Sequence, residues 1–313
     1  MKKKVALHNL GCKVNAYEVE AMQQLLENAG YETVPFEEGA DVYVINTCTV
    51  TNIADRKSRQ MLHKAKKMNP DAIVVATGCY AQADTEKLKE DTAVDLILGN
   101  NQKTQIVEAL EEYEKEHAKQ VQVIEINHTK EYEELSISST AEHVRAYIKV
   151  QDGCNQFCTY CIIPFARGRV RSRKIEEVLS EVETLAAKGY KEVVLTGIHL
   201  SSYGGAFAKE ERESLLSLIQ AVSRVEGISR IRLGSLEPRI ITEEFLEGIV
   251  KTGKVCPHFH LSLQSGCNKT LKNMNRRYSA QEYAEKCELI RKFYPVPALT
   301  TDVIVGFPQE TEE

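Results

Sequence analysis

The sequence predicts an α/β chain in two parts: an N-terminal doubly wound parallel-sheet domain, then a partial βα barrel. Three observations predict it. Near-continuous apolar runs alternate with amphipathic segments through roughly the first hundred residues, the pattern of strands covered on both faces. A charged and then aperiodic polar stretch follows at 108–142. A second βα series then begins at RAYIKVQ, with units of the length found in (β/α) barrels. The expected domains are therefore 1–107 and 143–313, joined by a charged helix and linker at 108–142.

Taken in order, KVALHNLG reads as the first strand, and residues 15–29 as an amphipathic helix with Gly30 at its C′ position. Residues 31–36 are short and extended. VYVINT, AIVVATG and VDLILGN read as strands, with a basic helix at 54–68 between the first two. EALEEYEKEH is a charged helix with a solvated face, and TKEYEELSISSTAEH a polar linker. In the second part the expected strands are 147–151, 192–196, 230–235, 258–263 and 299–305. Helices are expected near 175–188, 214–224, 243–252 and 280–293. Only five barrel strands are visible, and the closing PQETEE resembles the start of another helix. The expectation is that the sequence stops before its domain does.

The bulk numbers narrow the class. With 313 residues, 42% hydrophobic and 27% charged, the composition is that of a soluble globular protein. No apolar run approaches the ~18 residues of a membrane span, and MKKKVALHNLG reads as a strand rather than a signal peptide. The expected location is the cytoplasm. Nine cysteines, an odd number, in a long chain without an export signal argue against a disulfide framework and for metal or cluster ligation. A net charge of −5 by itself argues against a nucleic-acid partner. Yet ADRKSRQMLHKAKK (54–67) and ARGRVRSRK (166–174) are locally basic.

Six cysteines carry the chemistry. Cys154, Cys158 and Cys161 lie in GCNQFCTYC, spaced by three and then two residues, immediately after the first strand of the second series. A zinc site usually offers paired C-x2-C units and four ligands, and an electron-transfer cubane uses four thiolates. A redox C-x-x-C would leave Cys154 unexplained. Three thiolates on one short loop favour an iron–sulfur cubane with one open iron, with zinc as the alternative. Cys12, Cys48 and Cys79 repeat the number differently. VALHNLGC, VYVINTC and IVVATGC each place a cysteine directly after an apolar strand, at the sheet edge where doubly wound folds bind ligands. Buried structural cysteines, or zinc with an open position, are the alternatives to a second open cluster. Cys256, Cys267 and Cys287 are unpaired and read as structural or free.

C-x3-C-x2-C after the first barrel strand resembles the radical S-adenosylmethionine superfamily. With LGCKVNAYEVE (10–20), NTC (46–48), TGCYAQ (77–82), GCNQFCTYCIIPFARGRVRSR (153–173), SLQSG (262–266), LKNMNRRY (271–278) and DVIVGFP (302–308), the chain resembles its methylthiotransferase family from Gly11 onward. The resemblance implies a transferase with two [4Fe–4S] clusters on the six cysteines. It uses two equivalents of S-adenosylmethionine, one as methyl donor and one as source of a 5′-deoxyadenosyl radical. It implies an electron donor such as flavodoxin or ferredoxin. It also implies cofactor-binding residues at barrel strand ends, here Gly197, Ser235, Glu237 and Gln264, with Tyr160 near the adenine. Each strand end is otherwise ordinary loop chemistry, and Tyr160 otherwise a packing aromatic.

GCKVNAYEVE and CIIPFARGRVRSR look most like the group that acts on N6-threonylcarbamoyladenosine at adenosine 37 of the tRNA anticodon loop. The threonyl carboxylate invites an arginine fork, so Arg167, Arg169, Arg171 and Arg173 are the candidate substrate or phosphate readers. Their plain alternative is a solvated basic loop, and a further one is the methionyl carboxylate of the cofactor. The family's other substrates, isopentenyladenosine in tRNA and a ribosomal-protein aspartate, stand as alternatives, and a non-enzymatic iron–sulfur carrier as one of a different class. Two features depart from the family: Cys267 and Asn268 stand where it often has serine and aspartate, and the small RNA-binding β-barrel that normally ends the chain is absent. A truncated chain is the expected explanation. The oligomeric state has no signature in the sequence.

Overall fold

The computed structural model describes residues 2–139, 145–207 and 213–311. Contacts divide the chain into two compact units, one of Met1–Ala141 with Ile162–Arg169, the other of Glu142–Cys161 with Val170–Glu313. The expected boundary at 142/143 lies outside the described residues. Among those residues no helix is long and apolar enough to cross a membrane.

The first unit runs β1 (Lys4–Asn9), α1 (Lys13–Asn28), β2 (Glu32–Thr33), β3 (Val42–Thr47), α2 (Asn52–Met68), β4 (Ile73–Gly78), α3 (Cys79–Ala83), α4 (Thr85–Glu90), β5 (Leu96–Leu98), α5 (Ile106–Glu116) and β6 (Gln120–Gln122). Its six strands form one sheet in the order β2-β1-β3-β4-β5-β6, every pairing parallel. The apolar runs explain the two-sided covering. Side chains alternate along a strand, so Tyr43, Ile45, Val74 and Ala76 pack with Leu62 and Ala65 of α2. Val42, Val44, Val75 and Leu98 pack on the other face with Met22 and Leu26 of α1 and Leu110 of α5. Each such fully buried aliphatic contributes on the order of 1.5–3 kcal/mol. Gly30, at φ +95°, ends α1 as expected: its N–H reaches Glu27 O and the Tyr31 N–H reaches Leu26 O, the double closure that a left-handed residue permits.

The stretch read as linker is partly structural. It contains β6, and beyond it Leu135 and Ile137 are buried. Tyr17 donates to Leu135 O (2.6 Å), and Gln24 bonds Ser138 and Ser139. These residues are short apolar insertions in a polar run, so no periodicity marked them.

The second unit begins with β7 (Arg145–Asp152). The chain then contributes α6 (Ile163–Ala166) to the first unit. It continues with β8 (Arg171–Ser172), α7 (Ile175–Ala187), β9 (Glu192–Gly197), α8 (Leu215–Ser223), β10 (Arg230–Leu233), α9 (Glu243–Lys251), β11 (His258–His260), α10 (Asn268–Asn273), α11 (Ala280–Phe293) and β12 (Ala298–Thr300). β7, β9 and β10 pair parallel, as do β11 and β12. Isolated parallel bridges at Ile231–Val255 and Leu236–Leu261 link the two sets, so the five expected strands follow one another around a partial barrel. β8, antiparallel to β7, and the six-residue α10 were not anticipated.

Candidate functional site

Each unit gathers one cysteine set at the C-terminal ends of its parallel strands. In the first, β1, β3 and β4 are neighbours in the sheet. Cys12 caps the start of α1, Cys48 follows β3, and Cys79 opens α3. The three strand ends are tied together by short polar side chains. Asn15 Nδ2 donates to Leu10 O (2.7 Å) and Thr47 O (3.1 Å). Thr47 Oγ1 donates to Thr77 O (2.5 Å) and accepts from Ala81 N (3.2 Å). Ser58 of α2 grips the Cys48 backbone, accepting from its N–H at 3.1 Å and donating to its O at 2.9 Å. Gly78 makes the turn into Cys79 at φ +91°, ψ −158°, a region open only to glycine.

The environment of these thiols is defined. Burial raises the Cys48 thiol above its ordinary value, and the neighbouring Cys79 and Cys12 push the same way, while Arg167 opposes them. Arg167 has zero exposure. Its Nε donates to Cys79 Sγ (3.2 Å), its two terminal nitrogens grip the Glu18 carboxylate (2.8 and 3.0 Å), and Nη2 also reaches Asn15 Oδ1 (2.7 Å). Lys103, equally buried, lies 3.4 Å from Glu18 and donates to Asn100 Oδ1 (2.7 Å), while Asn100 Nδ2 reaches Cys79 Sγ at 3.9 Å.

In the second unit β7 runs into Gly153 and the loop 154–161. Asp152 accepts from Gly153 N (2.8 Å) and pairs with Lys149 (2.7 Å). Gln151 Nε2 donates to Asp152 O and Gly153 O (both 2.7 Å). The loop is braced by a segment from far along the chain. Asn275 Nδ2 donates to Gln156 O (3.2 Å) and Phe157 O (2.9 Å). Thr159 donates from N to Met274 O (3.2 Å) and from Oγ1 to Asn273 O (2.9 Å). Phe157, Gln264 and Asn275 all hold positive φ (51°, 69° and 59°), strain of the kind found at ligand-binding loops. Burial raises the Cys154 thiol to about 11, with Cys161 and Cys158 adding to it.

Thiols raised by burial and by one another ionise together only against compensating positive charge, which is what metal binding supplies. Among the described residues no three His, Cys, Asp or Glu converge as the ligands of a single metal ion would. A cubane asks for something else, one thiolate on each of three irons, and an all-sulfur donor set suits iron–sulfur clusters. Each cysteine set offers a donor set of that chemical kind, three thiols.

The other expected residues are distributed unevenly. Tyr160 lines a cavity of about 650 Å³ with Thr159, Asn273, Ile304, Gly306 and Phe307. Its ring meets Phe307 edge-on at 6.1 Å, and its hydroxyl donates to Gln264 Oε1 (3.0 Å) and accepts from Arg276 (2.9 Å). Gly197, at the end of β9, allows Gln151 to pass where a Cβ would stand 2.8 Å from its Oε1. Ser235 is exposed after β10. Glu237 is buried, with Arg239 Nε donating to its carboxylate (2.5 Å). These three do not line that cavity. Of the four arginines, only Arg169 is exposed. Arg171 faces Asp152 (3.8 Å), and Arg173 bonds Glu181 and lies 3.8 Å from Glu177, so both are enclosed among the chain's own carboxylates.

The sequence reading did not single out Asn15, Glu18, Asn46, Asn100, Lys103, Arg276 or His199. Asn15, Glu18 and Asn46 lie inside motifs already quoted, and nearness to a cysteine was their signal. His199 is held at Gln151 Oε1 through its N–H (2.7 Å) and at Ser202 through Nδ1 (2.6 Å). Burial, opposed by Glu237 and seconded by Arg276 and Arg239, lowers its pKa below the ordinary imidazole value.

Comparison with known proteins supplies the family. Residues 4–99 match the uncharacterized protein family UPF0004, and residues 148–313 match the radical SAM superfamily. The threonylcarbamoyladenosine tRNA methylthiotransferase MtaB of Aquifex aeolicus is 47% identical over 310 residues, 99% of this chain and 75% of the relative. MtaB of Bacillus subtilis is 45% identical over 99% of this chain and 68% of the relative. The tRNA-2-methylthio-N(6)-dimethylallyladenosine synthase of Pelotomaculum thermopropionicum is 37% identical, over 99% and 70%. Among solved structures, the radical S-adenosylmethionine methyltransferase TsrM of Kitasatospora setae superposes with a TM-score of 0.64 over 97% of this chain and 66% of its own, at 16% identity, a likeness of fold. With these two family matches together and identities this high over nearly its whole length, the chain belongs to the methylthiotransferase family of the radical SAM superfamily.

Proposed function

We propose that the chain is a tRNA methylthiotransferase that converts N6-threonylcarbamoyladenosine at adenosine 37 to its 2-methylthio derivative. Two [4Fe–4S] clusters and two equivalents of S-adenosylmethionine would serve it, with electrons from a flavodoxin- or ferredoxin-like donor, in the cytoplasm. The observation that carries the substrate is the identity to relatives of that activity, 47% and 45%, against 37% and 36% for relatives named for dimethylallyladenosine. Cys154, Cys158 and Cys161 would hold the cluster that works with S-adenosylmethionine, and Cys12, Cys48 and Cys79 the one associated with sulfur insertion. When bound, the cofactors supply hydrogen abstraction from an unactivated C–H and a methylthio group to replace it.

The chain's own residues prepare that chemistry. The loop 154–161, which carries three of the cysteines, is braced by Asn275 Nδ2 donating to Phe157 O and by Thr159 Oγ1 donating to Asn273 O. Tyr160, fixed by Gln264 and Arg276, sets an aromatic edge at the mouth of a cavity large enough for a nucleoside-bearing cofactor. RNA is served by α2, which starts four residues after Cys48 and exposes Arg56, Lys57, Arg59, Lys64 and Lys67. Such a face attracts phosphate whatever the global charge. Arg169 and Lys174 are the exposed cations of the segment after the second cysteine set and remain the candidates for the threonyl carboxylate.

Nucleoside mass spectrometry on a strain lacking the gene tests this. Loss of 2-methylthio-N6-threonylcarbamoyladenosine, restored by the intact gene but not by its Cys154→Ala form, is the expected result. Persistence of that nucleoside with loss of the 2-methylthio isopentenyl form, or of methylthio-aspartate in ribosomal protein, assigns the other substrate. A reduced, cluster-loaded protein that yields no 5′-deoxyadenosine from S-adenosylmethionine would be a carrier instead.

A further inference from the structure

Arg167 follows Cys161 by six positions in sequence but belongs to the first unit, where it is wholly enclosed. A guanidinium without solvent needs its donors satisfied, and here Nε, Nη1 and Nη2 each donate to a protein acceptor. The fork to Glu18 fixes the plane of the group, and Asn15 Oδ1 takes one further N–H. The Nε–H points at Cys79 Sγ, 3.2 Å away. Asn15 also ties the guanidinium to a second cysteine, since its Oδ1 lies 3.7 Å from Cys12 Sγ. Glu18 is held from behind by Lys103 (3.4 Å) and Asn46 (3.4 Å). The carboxylate is therefore occupied, and Arg167 cannot swing away from the thiols without abandoning a buried ion pair.

We propose that Arg167 is a positioning residue of the first cysteine set: its buried cation and its Nε–H···Sγ bond to Cys79 hold the thiolate and raise the reduction potential of the iron–sulfur cluster bound there. The inference rests on the reading that Cys12, Cys48 and Cys79 hold such a cluster. The physical ground is that a hydrogen bond to a ligating sulfur, and a positive charge beside it, withdraw electron density and favour the reduced cluster. Arg167 thereby leaves the group of substrate readers. The cation directly following the second cysteine set in sequence serves the first.

The test uses the full chain carrying Cys154→Ala, Cys158→Ala and Cys161→Ala, reconstituted anaerobically with iron and sulfide so that only the first set can load. Iron and sulfide content and the midpoint potential, by electron paramagnetic resonance during redox titration, are the readouts. Removing one member of the Arg167–Glu18 pair risks unfolding, so the informative variant is the double Glu18→Gln/Arg167→Met, which removes both charges together. The expected result is a normal cluster load, a lower midpoint potential, and on the order of tenfold less reduced cluster at a fixed applied potential. Arg167→Lys, which keeps the charge but not the directed Nε–H, should recover part of the shift. In the complementary Cys12→Ala/Cys48→Ala/Cys79→Ala background, the same substitutions should leave the second cluster's potential unchanged. A loaded cluster whose potential is the same with Arg, Lys or Met at 167 overturns the proposal alone. A parent with Arg167 intact that takes up no iron and sulfide overturns the cluster reading, and the proposal with it.

Discussion

Replacing Gly78 with alanine is the sharpest test of how the first cysteine set is built. Two costs add. The backbone at φ +91°, ψ −158° lies where residues with a Cβ are held at about 1–3 kcal/mol. The new Cβ would also stand 2.6 Å from Thr47 O and 2.9 Å from Thr47 N, and against Asn46 Oδ1. Thr47 lies in a central strand and cannot yield without breaking the ladder to β4, so overpacking costs a further ~1–3 kcal/mol. The sum is about 2–6 kcal/mol. Gly30→Ala is the control, since φ is +95° there but nothing lies within 4 Å, and only the backbone cost of about 1–2 kcal/mol applies. For a unit of this size 1 kcal/mol is worth roughly 2–4 °C in Tm. Far-UV circular dichroism of the apo-protein should therefore show the first unit's transition falling by on the order of 10 °C for Gly78→Ala and only a few degrees for Gly30→Ala. Reconstituted Gly78→Ala should also lose iron from the first set, because Cys79 is the next residue. Equal shifts for the two variants would refute the reasoning, since they would mean that the close approach of β4 to Thr47 carries no energy.

Three other expectations follow from the same geometry. Burial pushes the Glu20 carboxyl up to about 7 from its ordinary 4.5. The native state therefore binds more protons than the unfolded chain between those pH values, and stability falls as pH rises through them. Glu20→Gln should match the parent below pH 4.5 and gain about 1–2 kcal/mol above pH 7, after allowance for partial exposure, as read from urea melts at several pH values. Glu192 behaves with the opposite sign. Burial alone would raise its pKa, but Arg230 (2.7 Å) and Arg232 (3.0 Å) outweigh it and hold the carboxyl below its ordinary value of 4.5. Glu192→Gln should cost about 1 kcal/mol above pH 4.5, and the cost should vanish as pH falls through the depressed pKa, in the second unit's melting transition. Asn275→Ala removes two hydrogen bonds to the loop at Gln156 and Phe157 and puts alanine at φ +59°, a loss of about 2–3 kcal/mol. Iron at the second set should fall while the first set stays loaded, and Asn275→Gly, which tolerates the backbone, should lie between.

The parallel strands were legible because their signal is local: VYVINT and AIVVATG are apolar on both faces, short, and rich in β-branched residues. β6 and β8 were not, because QVQ and RS are too short to show a period and pair only because a neighbouring strand is there to receive them. The cysteines were legible for another reason. A rare residue type placed three times at the same strand end needs no periodicity to be noticed. The burial of the arginines was not legible, for the converse reason. ARGRVRSRK shows only its cations, because their counter-charges, Glu18 for Arg167, Asp152 for Arg171 and Glu181 for Arg173, come from other elements. Burial of a cation is decided by where its partner folds, and one sequence does not print that.

The two cysteine sets solve one problem in opposite ways, and the difference lies in how far each must reach along the chain. Cys154, Cys158 and Cys161 are brought together by eight residues of loop, so their meeting costs little closure entropy; what the fold adds is bracing, through Asn273, Met274 and Asn275. Cys12, Cys48 and Cys79 meet only once β1, β3 and β4 have paired. The side chains that align those strand ends, Asn15, Thr47 and Ser58, are bonded to backbone rather than to solvent. A group bound by the first set therefore stabilises the sheet itself, since the unfolded chain offers no such site, whereas a group bound by the second stabilises mainly its own loop. This also explains where buried charge is concentrated. A site assembled from three strand ends has a polar floor that must be neutralised inside the protein. Glu18, Lys103 and Arg167 do that, and they can do it only because the chain returns after Cys161 to deliver Arg167 beside Cys79.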